Sequence, residues 1–103
     1  MDYKINISKT AQKQIEQIIK YISDDLANPS AAANFYNKIL ERYNRLKDNP
    51  FIYALCNEET IQKLGYRKIV IDNYLMFYKI HEDKKEVFIA RVIYGRRDYS
   101  TLL

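Results

Sequence analysis

YRKIVIDNYLMFYKIHEDKKEVFIARVIYGRRD, Tyr66 to Asp98, decides the fold. Three apolar, aromatic-rich runs are separated there by two polar breaks, Asp72-Asn73 and His81 to Lys85, and this spacing predicts an antiparallel meander of three strands. Alternation sorts the first run into Tyr66, Lys68 and Val70 on one side and Arg67, Ile69 and Ile71 on the other. In the third run Phe88, Ala90 and Val92 oppose Val87, Ile89, Arg91 and Ile93. Neither run has a polar second face. Both are therefore expected inside the sheet, with helices on one side and either more core or a binding surface on the other.

Working outward from the meander, the N-terminal half reads as cover for that sheet. Tyr3, Ile5 and Ile7 alternate with Lys4 and Asn6 as a short strand, and Ser8 is placed to cap a helix. Ala11, Ile15, Ile18, Ile19, Ile22 and Leu26 form its apolar stripe. Asn28-Pro29 ends this helix and Ser30 is expected to cap a second, whose stripe is Ala32, Phe35, Tyr36, Ile39, Leu40, Tyr43 and Leu46. The pair makes a helical hairpin, stopped at Asn49-Pro50. Phe51 to Leu64 is too apolar to lie in water and is expected along the sheet edge, with a turn of helix near Glu58 to Gln62 and Cys56 as a small packed residue. Gly95 is expected to bend the chain at the end of the last strand, before a short tail that returns Leu102 and Leu103 to the apolar surface. The expected fold is α+β: an N-terminal strand and a two-helix antiparallel hairpin packed on a mostly antiparallel four-stranded sheet.

Composition bounds the function. A chain of 103 residues, 48% of them hydrophobic, supports one core and hence one domain over residues 1–103. No apolar run is long enough to span a bilayer, Met1 to Thr10 lacks the apolar stretch of a secretory signal, and the one cysteine cannot pair within the chain; a cytoplasmic setting is expected. The net charge is +4, of which +3 falls in residues 65–103, where eight Lys and Arg face five Asp and Glu. An acidic partner fits that excess, and so does simple solubility. Glycine-rich phosphate loops, HExxH, CxxC and GxSxG are all missing, so no metal or cofactor is expected. His81, the one histidine, reads as a solvated turn residue.

What remains is a set of arginines and tyrosines at the strand ends. With the first strand beside the meander, Arg67 and Arg91 are expected on the helix-free face, with Tyr94, Arg96, Arg97 and Tyr99 at its rim. A guanidinium donates paired hydrogen bonds to phosphate or carboxylate, and a phenol ring offers a stacking surface. Such a face can hold RNA while its cations stabilise a cleavage transition state, grip an acidic segment of a protein partner, or be an ordinary solvated rim.

LKDNP (Leu46 to Pro50), YRKIVIDNYLMFYKI (Tyr66 to Ile80) and VFIARVIYGRRDYSTLL (Val87 to Leu103) together resemble the RelE/ParE superfamily of bacterial type II toxins. The specific signals are the arginine near the opening of the second strand, the pair Tyr74 and Tyr78 in the third, and a last strand running into Gly95-Arg96-Arg97-Asp98. The resemblance implies a toxin held inactive by a cognate antitoxin in a hetero-oligomer. RelE-like members cleave messenger RNA on the ribosome, whereas ParE-like members inhibit DNA gyrase and are not nucleases. RelE-like enzymes carry an arginine directly after the tyrosine that opens the third strand; here Leu75 follows Tyr74. The resemblance is therefore closer to the ParE branch, with Arg67, Lys68, Tyr94, Arg96 and Arg97 as binding residues and gyrase as the target. The alternatives are a ribosome-dependent ribonuclease using Arg67, Arg91, Arg96, Arg97 and Tyr99, and an inactive domain that only binds antitoxin.

Overall fold

The structure, a computed structural model, describes residues 2–57 and 59–95. Its elements in order are β1 (Lys4–Ile7), α1 (Lys9–Lys20), a π-helical turn (Tyr21–Asp25), α2 (Pro29–Asp48), a 3-10 turn (Pro50–Ile52), α3 (Glu59–Lys63), β2 (Arg67–Ile71), β3 (Tyr74–His81) and β4 (Glu86–Tyr94). The strands form one sheet in the order β1-β4-β3-β2. The meander is antiparallel and β1 runs parallel to β4. The α+β architecture expected from the sequence is thus present.

Local chemistry explains the helix ends. Ser8 Oγ accepts the amide of Ala11 at 2.9 Å and caps α1. The second cap is Asn28 rather than Ser30: Asn28 Oδ1 accepts the amide of Ala31 at 3.1 Å, and Pro29 occupies the first helical position, where its missing N–H costs nothing. The stripe of α1 also ends earlier than its spacing suggests. The chain widens into the π-helical turn, and Leu26 is left 55% exposed.

The hairpin covers one side of the sheet. Ala11, Ile15 and Ile18 from α1 and Phe35, Ile39 and Leu46 from α2 meet Ile69, Ile71, Met76, Tyr78, Val87, Ile89 and Val92. Tyr78 is fully buried there, and its hydroxyl donates to the Pro50 carbonyl at 2.7 Å, so the phenol is satisfied inside the core. On the opposite side, Cys56 and Ile61 of the 53–64 connection close over Leu75, Phe77 and Ile93 to make a second, smaller cluster. This explains why neither meander face is polar: part of the second face is core. It also corrects the position of the first meander strand, since β2 is an edge strand. Among the described residues, its outer side carries the Leu55–Arg67 bridge and the hydrogen bond from Cys56 N to Tyr66 O, with no further strand beside it.

One irregularity governs the rest. Phe77 pairs with Arg91 and Tyr78 with Ile89, so Ala90 is an extra residue in β4. Strict alternation would keep Arg91 beside Val87 and Ile89. The bulge reverses this, placing Val92 under the helices and turning Arg91 to the other face with Ile93. The sequence-based face assignment of β4 therefore holds only up to Ala90.

Among the described residues, no helix is long and apolar enough to cross a membrane.

Candidate functional site

The register of the sheet assigns the strand side chains of the helix-free face. Val70, Leu75 and Ile93 make one cross-strand row and Lys68, Phe77 and Arg91 the next. Beyond them lie Lys79 and Phe88 with Asn6, then His81 and Glu86 with Lys4. The ammonium of Lys79 stands 4.5 Å from the ring centroid of Tyr66, within cation–π range, and His81 packs against Phe88 with ring centroids 6.3 Å apart. The second cluster covers Leu75 and Ile93 of the first row and Phe77 of the next, and leaves Val70 exposed. Among the described residues, the other rows present Lys68, Arg91, Lys79 and Lys4 with the carboxylate of Glu86, so the strands give this half of the face more cations than anions.

The predicted residues divide between the two faces. Lys68 and Arg91 fall in one row with Phe77 between them, their Cα atoms about 10 Å apart at two strand spacings. Arg91 Nη1 donates to the Ala90 carbonyl at 2.8 Å. Arg67 is not with them. It pairs with Tyr78 and shares the helix side with Ile69 and Ile71, contrary to its expected place on the helix-free face. The physical reason is the alternation itself: once Ile69 and Ile71 are core, Arg67 must follow them. It lies beyond the hairpin's cover, where Nη1 donates to the Tyr53 carbonyl at 2.6 Å and the guanidinium carbon sits 5.3 Å from the Phe51 ring centroid. Arg67 thereby holds the 50–53 turn against the sheet. Tyr94 is also on the helix side, opposite Tyr74 in the register, with their ring centroids 5.8 Å apart; Tyr74 in turn meets Phe35 at 5.3 Å. Arg96, Arg97 and Tyr99 lie outside the described residues.

Lys79 and Lys4 were not singled out by the sequence reading. The signal was available, because alternation from Leu75 and Phe77 puts Lys79 and His81 on the same side. Gly95 ends β4 as expected, and its special feature is a close approach: a Cβ there would stand 3.1 Å from the Asn73 carbonyl oxygen and 3.5 Å from Leu75 Cγ.

A second surface lies on the hairpin. Ile15 and Ile19 of α1 and Tyr36, Ile39, Leu40 and Tyr43 of α2 line an apolar groove of about 390 Å³. Through Ile7, Leu40 and Tyr43 it adjoins a hollow of about 510 Å³ along the open side of β1, edged by Lys4, Asn44 and Lys47. The Tyr43 hydroxyl is buried without a hydrogen-bond partner, and burial, with Tyr36 adding to it, pushes its pKa up to about 12. It is a neutral donor that meets no acceptor among the described residues.

The arrangement has likenesses among known proteins. Residues 5–99 match the family model described as the ParE toxin of the type II toxin–antitoxin system parDE. The fold is similar to that of the chromosomal ParDE system from P. aeruginosa, with a TM-score of 0.70 at 17% identity over 89% of this chain and 95% of that one. A mutant of E. coli toxin RelE in the free state gives a TM-score of 0.68 at 15% identity, covering 99% of this chain and 93% of the other. The archaeal RelE–RelB complex from Pyrococcus horikoshii gives 0.62 at 18% identity, covering 94% and 99%. No curated protein matches the sequence. Because the family model spans all but the two ends of the sequence, this chain belongs to the ParE toxin family of type II toxin–antitoxin systems.

Proposed function

We propose that this toxin acts by binding rather than by cutting RNA, with DNA gyrase as its target. The observation that carries this reading is Leu75. It lies on the helix-free face, 8% exposed, packed with Cys56, Ile61, Phe77 and Ile93, in the place where the RelE-like resemblance implies an arginine. Cleavage by a 2′-hydroxyl needs cations fixed around one phosphate as charge develops, and losing a central one lowers the rate by roughly 10²-fold. Here the row beside Lys68 and Arg91 is apolar, and Arg67 is committed to Tyr53 and Phe51 on the other face. Lys68 and Arg91, held about 10 Å apart across Phe77, suit an acidic protein surface better than a single phosphate.

Neutralisation falls to the hairpin groove. Its occupant is an amphipathic helix of the cognate antitoxin, an assignment supported by similar folds having been solved as toxin–antitoxin complexes. Apolar side chains of that helix fill the space between Ile15, Ile19 and Leu40, and acidic residues where it leaves the groove meet Lys4 and Lys47.

Purified toxin added to a gyrase supercoiling reaction at micromolar concentration tests the reading, with a translation reaction run beside it. Inhibition of supercoiling, relieved by antitoxin, is the expected result. Unaffected supercoiling together with codon-positioned cuts in translated messages would replace it with the ribonuclease alternative.

A further inference from the structure

β3 pairs with β4 on both sides of the bulge that aims Arg91, but on the outer side of β4 no strand lies beside it. Pairing of β1 with β4 stops at Ile7 and Ile89, one residue before Ala90, and the outer side of β4 passes to α1. Three contacts take over there. Ser8 N donates to the Ile89 carbonyl at 3.0 Å, Ser8 Oγ donates to the Ala90 carbonyl at 2.8 Å, and Gln14 Oε1 accepts the amide of Val92 at 2.8 Å. The residues gripped lie immediately before the bulge, at it, and just beyond it. The Ala90 carbonyl is also the acceptor for Arg91 Nη1 at 2.8 Å, so one oxygen joins the α1 cap to the guanidinium.

We infer that Ser8 and Gln14 are positioning residues for Arg91: from the capped end of α1 they lock the one-residue bulge that turns this arginine onto the cationic face. The alternative register shows what the lock prevents. Removing the extra residue from the pairing would return Arg91 to the side of Val87 and Ile89 and send Val92 outward, because a slip of one residue exchanges the faces. Burying a guanidinium beside that core is costly, so loss of the lock favours a β4 end that no longer pairs in one fixed way. Gln14 is well suited to the task. Its side-chain amide stands in for the strand that β1 is too short to supply, giving Val92 N the acceptor that an adjacent backbone would otherwise provide.

This inference rests on the reading of the Lys68–Arg91 row as the target face, and the test separates the two. Gln14→Leu and Ser8→Ala remove one clamp each; Gln14→Glu and Ser8→Thr keep the acceptor and the hydroxyl. In the purified toxin, the Val92 amide of Gln14→Leu exchanges about ten-fold faster, the loss of one backbone hydrogen bond, and nuclear Overhauser contacts from the Arg91 side chain to the Phe77 ring weaken by at least half. On induction without antitoxin, Gln14→Leu and Ser8→Ala arrest growth no better than Arg91→Ala. Adding Gln14→Leu to Arg91→Ala has no further effect, and Gln14→Glu restores both the contacts and the arrest. Unchanged Arg91–Phe77 contacts in both clamp variants would overturn the inference, as would an equal loss of activity when Gln14→Leu is placed in the Arg91→Ala background. If the contacts vanish while growth arrest persists, the positioning role stands and the Lys68–Arg91 row is not the target face.

Discussion

Leu75→Ala separates a packed residue from a vacated catalytic position. Leu75 is 8% exposed and, among the described residues, packs with Cys56, Ile61, Phe77 and Ile93 in a small cluster near the surface, so the space left behind is partly relieved by relaxation and solvent. Leucine-to-alanine changes in cores cost about 2–5 kcal/mol. The small size of this cluster and its position near the surface put Leu75→Ala at the lower end, about 2–3 kcal/mol. Val70, in the same cross-strand row, is 62% exposed, and Val70→Ala should cost under about 0.5 kcal/mol. With a urea slope of about 1–3 kcal/mol per molar, the unfolding midpoints of the two variants should differ by about 0.5–3 molar. Leu75→Arg should be at least as destabilising as Leu75→Ala, because the guanidinium enters an apolar cluster next to Lys68 and Arg91, and it should yield no messenger cleavage. Equal midpoints for Leu75→Ala and Val70→Ala would refute the second cluster. Messenger RNA cut by the wild-type toxin, with Leu75 in place of the arginine, would refute the argument from its chemistry.

Other expectations follow from single contacts. Tyr78→Phe leaves the buried Pro50 carbonyl without its donor and should cost about 1–2 kcal/mol in urea unfolding; no change would mean that the hydrogen bond is not made. Asn28→Ala should cost about 1 kcal/mol while Ser30→Ala costs almost nothing, since Asn28 makes the cap contact. Burial holds the Tyr43 phenol protonated up to about 12 against an ordinary 10, so its share of stability is intact below pH 10 and is lost as pH rises from 10 towards 12. Tyr43→Phe should flatten that alkaline decline in melting temperature and, with an unpartnered hydroxyl removed, should not destabilise the free toxin at neutral pH. Lys68→Ala and Arg91→Ala should each weaken growth arrest by about ten-fold or more, while Lys13→Ala, exposed on α1 away from this face, should leave it unchanged.

The parts of the fold that were legible in the sequence are those with strong periodicity. The meander breaks, the two amphipathic stripes and the alternation of β2 each depend on a repeat that neighbouring residues enforce, and all of them appear in the structure. The bulge at Ala90 has no such repeat. It arises because β1 ends at Ile7 and α1 takes over the outer side of β4 through Ser8 and Gln14, contacts spanning about eighty residues of chain. A local reading of VFIARVIY cannot contain that information: alternation groups Arg91 and Ile93 with Val87 and Ile89, and the bulge separates them, leaving Arg91 on the helix-free face where it is expected. Arg67 was misplaced for a different reason. Its partners Ile69 and Ile71 were read correctly, but which side the helices cover is a tertiary fact, and apolar residues on both sides left it open. The edge position of β2 was hidden in the same way, because Cys56 and Ile61 cover a face that would otherwise have to be polar.

The most direct test of the central claim is a titration of gyrase supercoiling with the wild-type toxin and with the charge reversal Arg91→Glu. Wild-type toxin should inhibit at micromolar concentration, Arg91→Glu should lose about ten-fold or more in potency, and supercoiling should recover when the antitoxin is added. Full supercoiling in the presence of a toxin that still arrests growth would contradict that claim.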